Sequence, residues 1–310
     1  MSRLSMTYRF FFILFRILSF LPFGVLYLFS DIVSPFVRHV LRYRRKVLRQ
    51  NLATSFPEKT DKERMRIERD YYRLLCDYFV ENLKLFSISP EKMMKRMTFG
   101  GLESAKEGFE SGKDFMFIYL GHYGNWEWIA SLQYWMPHAH CTQIYHPLYN
   151  KVADKMFLHL RQQYGGECIP MKKTLRRLVE LKREGRKTVV GFISDQLPKW
   201  NSIHHFTSFL NHDTAVFTGT EQMAKKFGAM VYYGRVTRPR RGYYHCEMIP
   251  MTDNPSLFED FKLTDLYMQM LEEDIRRIPS LWLWTHKRWR RTKEEWLRRN
   301  SATEPQQQLS

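Results

Sequence analysis

The sequence predicts an α/β protein with a central, mostly parallel sheet flanked by helices, resembling no all-helical or all-strand pattern. Three observations carry this. FMFIYL at Phe115–Leu120 and TVVGFI at Thr188–Ile193 are short apolar runs rich in β-branched and aromatic residues, as strands buried on both faces are. Segments with apolar residues at helical spacing lie between such runs. Glycines at 165–166, 185 and 228 close the helical segments. Strands alternating with helices build a parallel sheet covered on both sides.

The elements follow in order. Residues 10–30 are apolar with one charge, Arg16, enough for a helix spanning a ~30 Å hydrocarbon core. Pro22 and Gly24 within it are tolerated in membrane helices. Arg3 and Arg9 precede this stretch, while Arg38, Arg42, Arg44, Arg45, Lys46 and Arg49 follow it. The positive-inside rule then places the rest of the chain in the cytoplasm. A cleaved signal peptide, an interfacial helix and a buried helix are the competing readings. Ile67, Leu74, Leu75, Tyr78, Phe79 and Leu83 mark a long helix over 61–86. After the strand Phe115–Leu120, residues 125–135 read as helix, 141–145 as strand, 150–164 as helix and 172–184 as a basic helix. Beyond Thr188–Ile193, a helix covers 221–227, a hairpin pairs 231–236 with 243–249, and a last helix covers 261–278. The resulting organisation is a membrane anchor over 1–35, a catalytic domain over 36–299 and a polar, Gln-rich, disordered tail over 300–310.

Composition narrows the function. With 310 residues and 44% hydrophobic content, the chain has ample apolar surface for a core. At 26% charged residues it is no multi-spanning membrane protein. The cysteines, Cys76, Cys141, Cys168 and Cys246, form no C-x-x-C pair, so no zinc ribbon or redox motif is present. Lys+Arg total 49 against 32 Asp+Glu, a net charge of +17. That excess calls for a negative partner: nucleic acid, anionic lipid or an acidic carrier protein.

The sharpest local signal is Gly121-His122-Tyr123-Gly124-Asn125-Trp126-Glu127, directly after the strand ending at Leu120. Functional groups collect at the carboxyl ends of strands in open α/β sheets. A turn between His122 and Glu127 would fold the carboxylate back onto the imidazole and raise its basicity. Without a Ser or Cys nucleophile, such a pair suits direct transfer: the base takes a proton from an acceptor hydroxyl, which attacks an activated acyl group. A capping His and a solvated helix Glu are the bland alternative. His204, His205 and His212 match no usual metal-ligand spacing. Trp282, Trp284 and Trp289 read equally as an interfacial belt or as core.

Further segments extend the pattern. They are Arg45-Lys46-Val47-Leu48-Arg49-Gln50-Asn51-Leu52 with Phe56-Pro57-Glu58, then Tyr145-His146-Pro147 with Asn150, then Arg161, then Ser194-Asp195-Gln196. Phe206 to Phe209, Thr214-Ala215, Thr218-Gly219-Thr220 and Leu283-Trp284-Thr285-His286-Lys287-Arg288-Trp289 complete it. Together with the H-x4-E motif, this order resembles the bacterial lipid A biosynthesis (late) acyltransferases, within the glycerolipid acyltransferase superfamily. The resemblance runs from the N-terminal segment to about Arg291. His146 stands where the family commonly has Arg, and Ser194 and Leu197 replace the outer residues of its P-D-Q-D segment.

The resemblance implies an acyltransferase that needs no cofactor or metal. Its donor would be an acyl-carrier-protein thioester, its acceptor a hydroxyl of an anionic glycolipid, the lipid A precursor, at the inner membrane. His122 and Glu127 would be the catalytic pair. Arg161 would bind phosphate or the oxyanion, and Asp195 would hold Arg161 or position the acceptor. Gln196, Asn125 and Tyr145 would complete the binding site. Two rivals remain: an acyltransferase on another glycolipid or amino-lipid, and a membrane-anchored nucleic-acid-binding protein using Arg235, Arg238, Arg240 and Arg241. No nucleic-acid-binding signature supports the second.

Overall fold

The computed structural model describes residues 3–301. Five helices open the chain: α1 (Arg3–Ser19), α2 (Phe23–His39), α3 (Arg45–Ser55), α4 (Asp61–Lys84) and α5 (Pro90–Arg96). The alternating region follows, with β1 (Met97–Gly100), α6 (Glu103–Glu110), β2 (Phe115–Leu120), a 3-10 helix (Trp128–Tyr134), β3 (His140–Tyr145), α7 (Lys151–Gln162) and β4 (Glu167–Pro170). It continues through α8 (Thr174–Arg183), β5 (Thr188–Ile193), β6 (Phe206–Phe209), β7 (His212–Ala215) and α9 (Gly219–Phe227). The chain closes with β8 (Met230–Arg240), β9 (Tyr243–Thr252), α10 (Lys262–Arg277) and α11 (Lys293–Ser301).

The main sheet has the order β1-β9-β8-β2-β5-β3-β4, and β6 and β7 form a separate antiparallel pair. β2 lies at the centre, parallel to β5 and β8. β3 is parallel to β5 and β4. β9 reverses, pairing antiparallel with β8, and β1 runs parallel to β9 at the edge, so these two strands oppose the other five. Every residue of β2 is buried, as its unbroken apolar run requires. The strands read at Phe115–Leu120 and Thr188–Ile193 are observed with the expected bounds, those read at 141–145, 231–236 and 243–249 run longer, and the mostly parallel architecture flanked by helices is observed with them.

α4 begins at a capping box. Thr60 accepts from the Glu63 backbone N–H at 3.3 Å, while the Thr60 N–H donates to the Glu63 carboxylate at 2.7 Å. One α4 face buries Tyr71, Tyr72, Leu74 and Leu75 in the core. The same helix carries three buried carboxylates, Glu68, Asp77 and Glu81, and each is paired. Buried charges persist only with such partners.

The N-terminal segment departs from the single helix expected over residues 10–30. α1 stops at Ser19 and α2 starts at Phe23, and the two are bent by 108°. Pro22 sits at the break in extended backbone and has no N–H to continue a helix. Among the described residues no single helix is long and apolar enough to cross a membrane, though the bent pair passes that test together. Phe10, Ile13, Ile17 and Phe20 of the first arm, and Leu28, Phe29, Ile32 and Phe36 of the second, are exposed. The inner faces are attached. Phe12 packs edge-on against Phe86 and His159, Tyr27 donates to Glu81 at 3.0 Å, and Ser30 donates to Asp77 at 2.8 Å.

The positive charge is also distributed differently. Arg38, Arg45 and Arg49 converge on buried Glu68 at 2.9, 2.8 and 2.6 Å. Arg238 and Arg241 bond Asp77, and Arg241 also bonds Asp31. Arg38, Arg45 and Arg49 therefore tie α2 and α3 to α4, and Arg238 and Arg241 tie the β8–β9 hairpin to α4 and α2. Of the helix expected over 125–135, Trp128–Tyr134 is observed, as a 3-10 helix. Of the expected tail, Asn300 and Ser301 belong to α11 and the remainder lies outside the described residues.

Candidate active site

His122 stands just beyond the carboxyl end of β2. Gly121 leaves room there for Leu271, whose Cδ1 would lie 2.7 Å from a Cβ and would have to shift. Gly124 turns the loop with φ +67, a conformation glycine adopts without strain. The loop is then pinned from below. The Gly124 N–H donates to Leu281 O at 2.9 Å, and the Tyr123 hydroxyl donates to Asp274 O at 2.8 Å.

Asp195 arrives from the neighbouring strand. β2 and β5 are parallel, with Leu120 opposite Ile193, so the residues two positions on meet at the same sheet edge. The Asp195 carboxylate accepts the His122 backbone N–H at 2.9 Å and faces Nδ1 at 2.6 Å. Its second oxygen also accepts the Trp282 indole N–H at 2.8 Å. An acceptor-only carboxylate at that distance fixes the proton on Nδ1 and leaves Nε2 with a lone pair. The Gln196 amide lies 3.2 Å from Nε2 and donates to it. Burial alone would raise the Asp195 carboxyl, but the facing His122 ring and the donated N–H groups outweigh it and hold the carboxyl down to about 2.

Glu127 makes a different partnership. Its carboxylate accepts both Nε and Nη2 of Arg161, at 2.7 and 2.6 Å, and the Tyr78 hydroxyl at 3.3 Å. This is the bidentate fork that guanidinium geometry favours. Burial works against the Arg161 charge, yet the Glu127 carboxylate raises its pKa above the usual value. The pairings expected from the sequence are thus exchanged. Asp195, not Glu127, is hydrogen-bonded to His122, and Glu127, not Asp195, holds Arg161. Five residues of separation place Glu127 beyond a turn and ahead of the 3-10 helix, facing α7, where Arg161 lies in the last turn.

His122, Glu127, Arg161, Gln196 and Tyr145 all line one open cavity of about 1080 Å³. Ile118, Leu120, Ile129, Leu132, Val189 and Ile193 form its apolar floor, and Lys172, Lys173 and Lys199 also border it. Asn125 lies outside this lining, buried, with its amide donating to Glu81 at 2.8 Å. His205 bonds Asp265 at 2.7 Å, and His212 stacks on Trp289 with centroids 4.1 Å apart. Trp282 was not singled out for this site by its sequence. Its role is visible only once α10 and the following 3-10 turn bring it under Asp195.

The model of the bacterial lipid A biosynthesis acyltransferase family matches residues 2–291, nearly the whole chain. The chain belongs to that family. Among curated proteins, this lipid A acyltransferase family member is similar to Lipid A biosynthesis acyltransferase 2 of Shigella flexneri, with 25% identity over 162 residues. That match covers 50% of this chain and 50% of the relative, so it spans about half the length of the curated protein. The family match takes in the N-terminal helix pair, the His122 loop, Asp195 and the Trp282 segment together.

Proposed function

We propose that the protein moves a fatty acyl chain from an acyl-carrier-protein thioester to a hydroxyl of a lipid A precursor. The observation that carries this is the placement of the His122–Asp195 pair at the rim of a large apolar cavity. A volume near the upper end of usual ligand sites has room for an acyl chain and the group that receives it.

His122 Nε2 is the general base. The acceptor hydroxyl replaces the Gln196 amide at that nitrogen and gives up its proton as the oxygen attacks the thioester carbonyl. Asp195 holds the ring and stabilises the imidazolium that results. Arg161, with two nitrogens occupied by Glu127, has Nη1 for the carbonyl oxyanion or a substrate phosphate. Collapse of the tetrahedral intermediate breaks the C–S bond, and the imidazolium proton goes to the departing thiolate. Glu127 acts as the orienting partner of Arg161. Asn125 and Glu81 hold the loop that carries His122.

The Lys172, Lys173 and Lys199 ammonium groups at the cavity border suit an anionic acceptor and an acidic carrier. The exposed apolar faces of α1 and α2 suit a membrane surface, with the catalytic domain on the cytoplasmic side of the inner membrane. Mass spectrometry of lipid A from cells with wild-type protein or His122→Ala tests the proposal. Loss of one acyl chain in the variant is expected. Identical lipid A in the two strains overturns it.

A further inference from the structure

Gly191 sits in the middle of β5, the strand that delivers Asp195. In register it lies opposite Ile118 of β2 and Gln143 of β3. Strand alternation turns Val189, Gly191 and Ile193 toward the cavity, and all three line it. Phe192 points to the other face, where it packs on Phe117 with centroids 5.0 Å apart.

Glycine in a central strand weakens it and marks a bulge, a bend or a close approach. The fold supplies none of these reasons here. β5 keeps an unbroken register with both neighbours, and Gly191 is outside the positive-φ region. A Cβ at Gly191 would meet Leu120 Cδ1 at 3.5 Å and Thr142 O at 3.7 Å, which is ordinary contact. Compare Gly121, Gly166 and Gly234, where a Cβ would come within 2.7, 2.8 and 2.5 Å of a neighbour. At those positions a side chain would force a protein neighbour to shift. At Gly191 it would project only into the cavity.

We infer that Gly191 sets the length of acyl chain the cavity accepts. This inference rests on the acyl-transfer reading given above. Gly191 precedes Asp195 by four residues, which puts it about 13 Å along the strand from the catalytic pair. The missing side chain leaves a dent in a floor otherwise lined by Ile118, Leu120, Val189 and Ile193, where the distal methylenes of a chain would lie. A side chain there would project into that path and leave the rim, with His122 and Arg161, untouched. Rejection of a chain that no longer fits is worth roughly 10- to 200-fold for each methylene in a hydrophobic pocket.

The test uses full-length protein in membranes and acyl-carrier-protein thioesters of about ten to sixteen carbons. Wild type, Gly191→Ala and Gly191→Ile are compared for transfer to the lipid A precursor. The expected result is a progressive shift toward shorter chains, about 10-fold or more for the longest accepted chain, with short-chain transfer preserved. Gly191→Ala has room by the distances above, so it decides the matter even where the isoleucine variant folds poorly. An unchanged chain-length profile in Gly191→Ala overturns the inference, and so does an equal loss at every chain length. Wild type that transfers no chain at all overturns the acyl-transfer reading instead.

Discussion

The His122 imidazole faces the Asp195 carboxylate at 2.6 Å, across two adjacent parallel strands, while Glu127 of the same loop is clamped to Arg161. Two carboxylates near one histidine therefore have different work. Asp195 fixes the tautomer of the ring, and Glu127 fixes the position of a guanidinium. This division leads to the first expected outcome. Asp195→Asn should lower kcat by about 10²–10⁴-fold with little change in KM, because it removes the acceptor that fixes the Nδ1 proton. Steady-state transfer assays in membranes measure it. A variant with near-wild-type kcat would refute the assignment.

Glu127→Gln should cost about 3–5 kcal/mol of stability, because it leaves the largely buried Arg161 without its counter-charge. Replacing both partners, Glu127→Gln with Arg161→Met, should recover part of that loss. Chemical denaturation of the two single variants and the double variant gives the coupling. Strict additivity would mean that the fork contributes nothing to stability.

Removing one donor from Asp195 should have a smaller effect. Trp282→Phe keeps most of the packing but loses the indole N–H, so about 1.5–3 kcal/mol of hydrogen bonding to a charged group is forfeited. The loss should appear as a lower denaturation midpoint and a reduced kcat. A kcat equal to wild type would separate Trp282 from the reaction.

Acid should destabilise the protein in two windows. Burial, then the nearby Arg288 charge, push the His286 pKa down from 6.5 to about 4. The unfolded chain therefore binds the His286 proton more readily, and the stability present above pH 6.5 declines until about pH 4. Asp195, lowered from 3.8 to about 2, has the same sign, and its contribution is lost as pH falls below 3.8. Denaturant melts between pH 7 and 4 should show the first decline, and His286→Gln should flatten it. An identical slope in that variant would exclude His286 as its source.

Asp77 ties three parts of the chain together, accepting from Ser30 of α2 and from Arg238 and Arg241 of the β8–β9 hairpin. Asp77→Ala should leave Arg238 and Arg241 with only Glu81 and Asp31 as carboxylate partners, remove the acceptor of Ser30 and loosen α2. Limited proteolysis should then cut between α1 and α3 at a rate well above wild type. Equal cleavage rates would show that the apolar contacts of α2 alone hold it.

The sequence by itself determined the buried strands β2 and β5, the long helix α4 and the position of His122 at a strand end. Those signals are local. An apolar run and a helical period act over a few residues, so they are legible without the fold. The break at Pro22 was foreshadowed by the proline itself, but a membrane helix tolerates proline, so only the packing of Phe12 on α7 and of Ser30 on α4 decided a bent pair. β1 and β4, each four residues long, are too short to show a period and are held by their neighbours in the sheet. The same holds for the site. Spacing alone put Glu127 within reach of His122, and it could not register that β5 lies beside β2. The tertiary structure settled which carboxylate meets the imidazole, because that contact depends on strand order, not on distance along the chain.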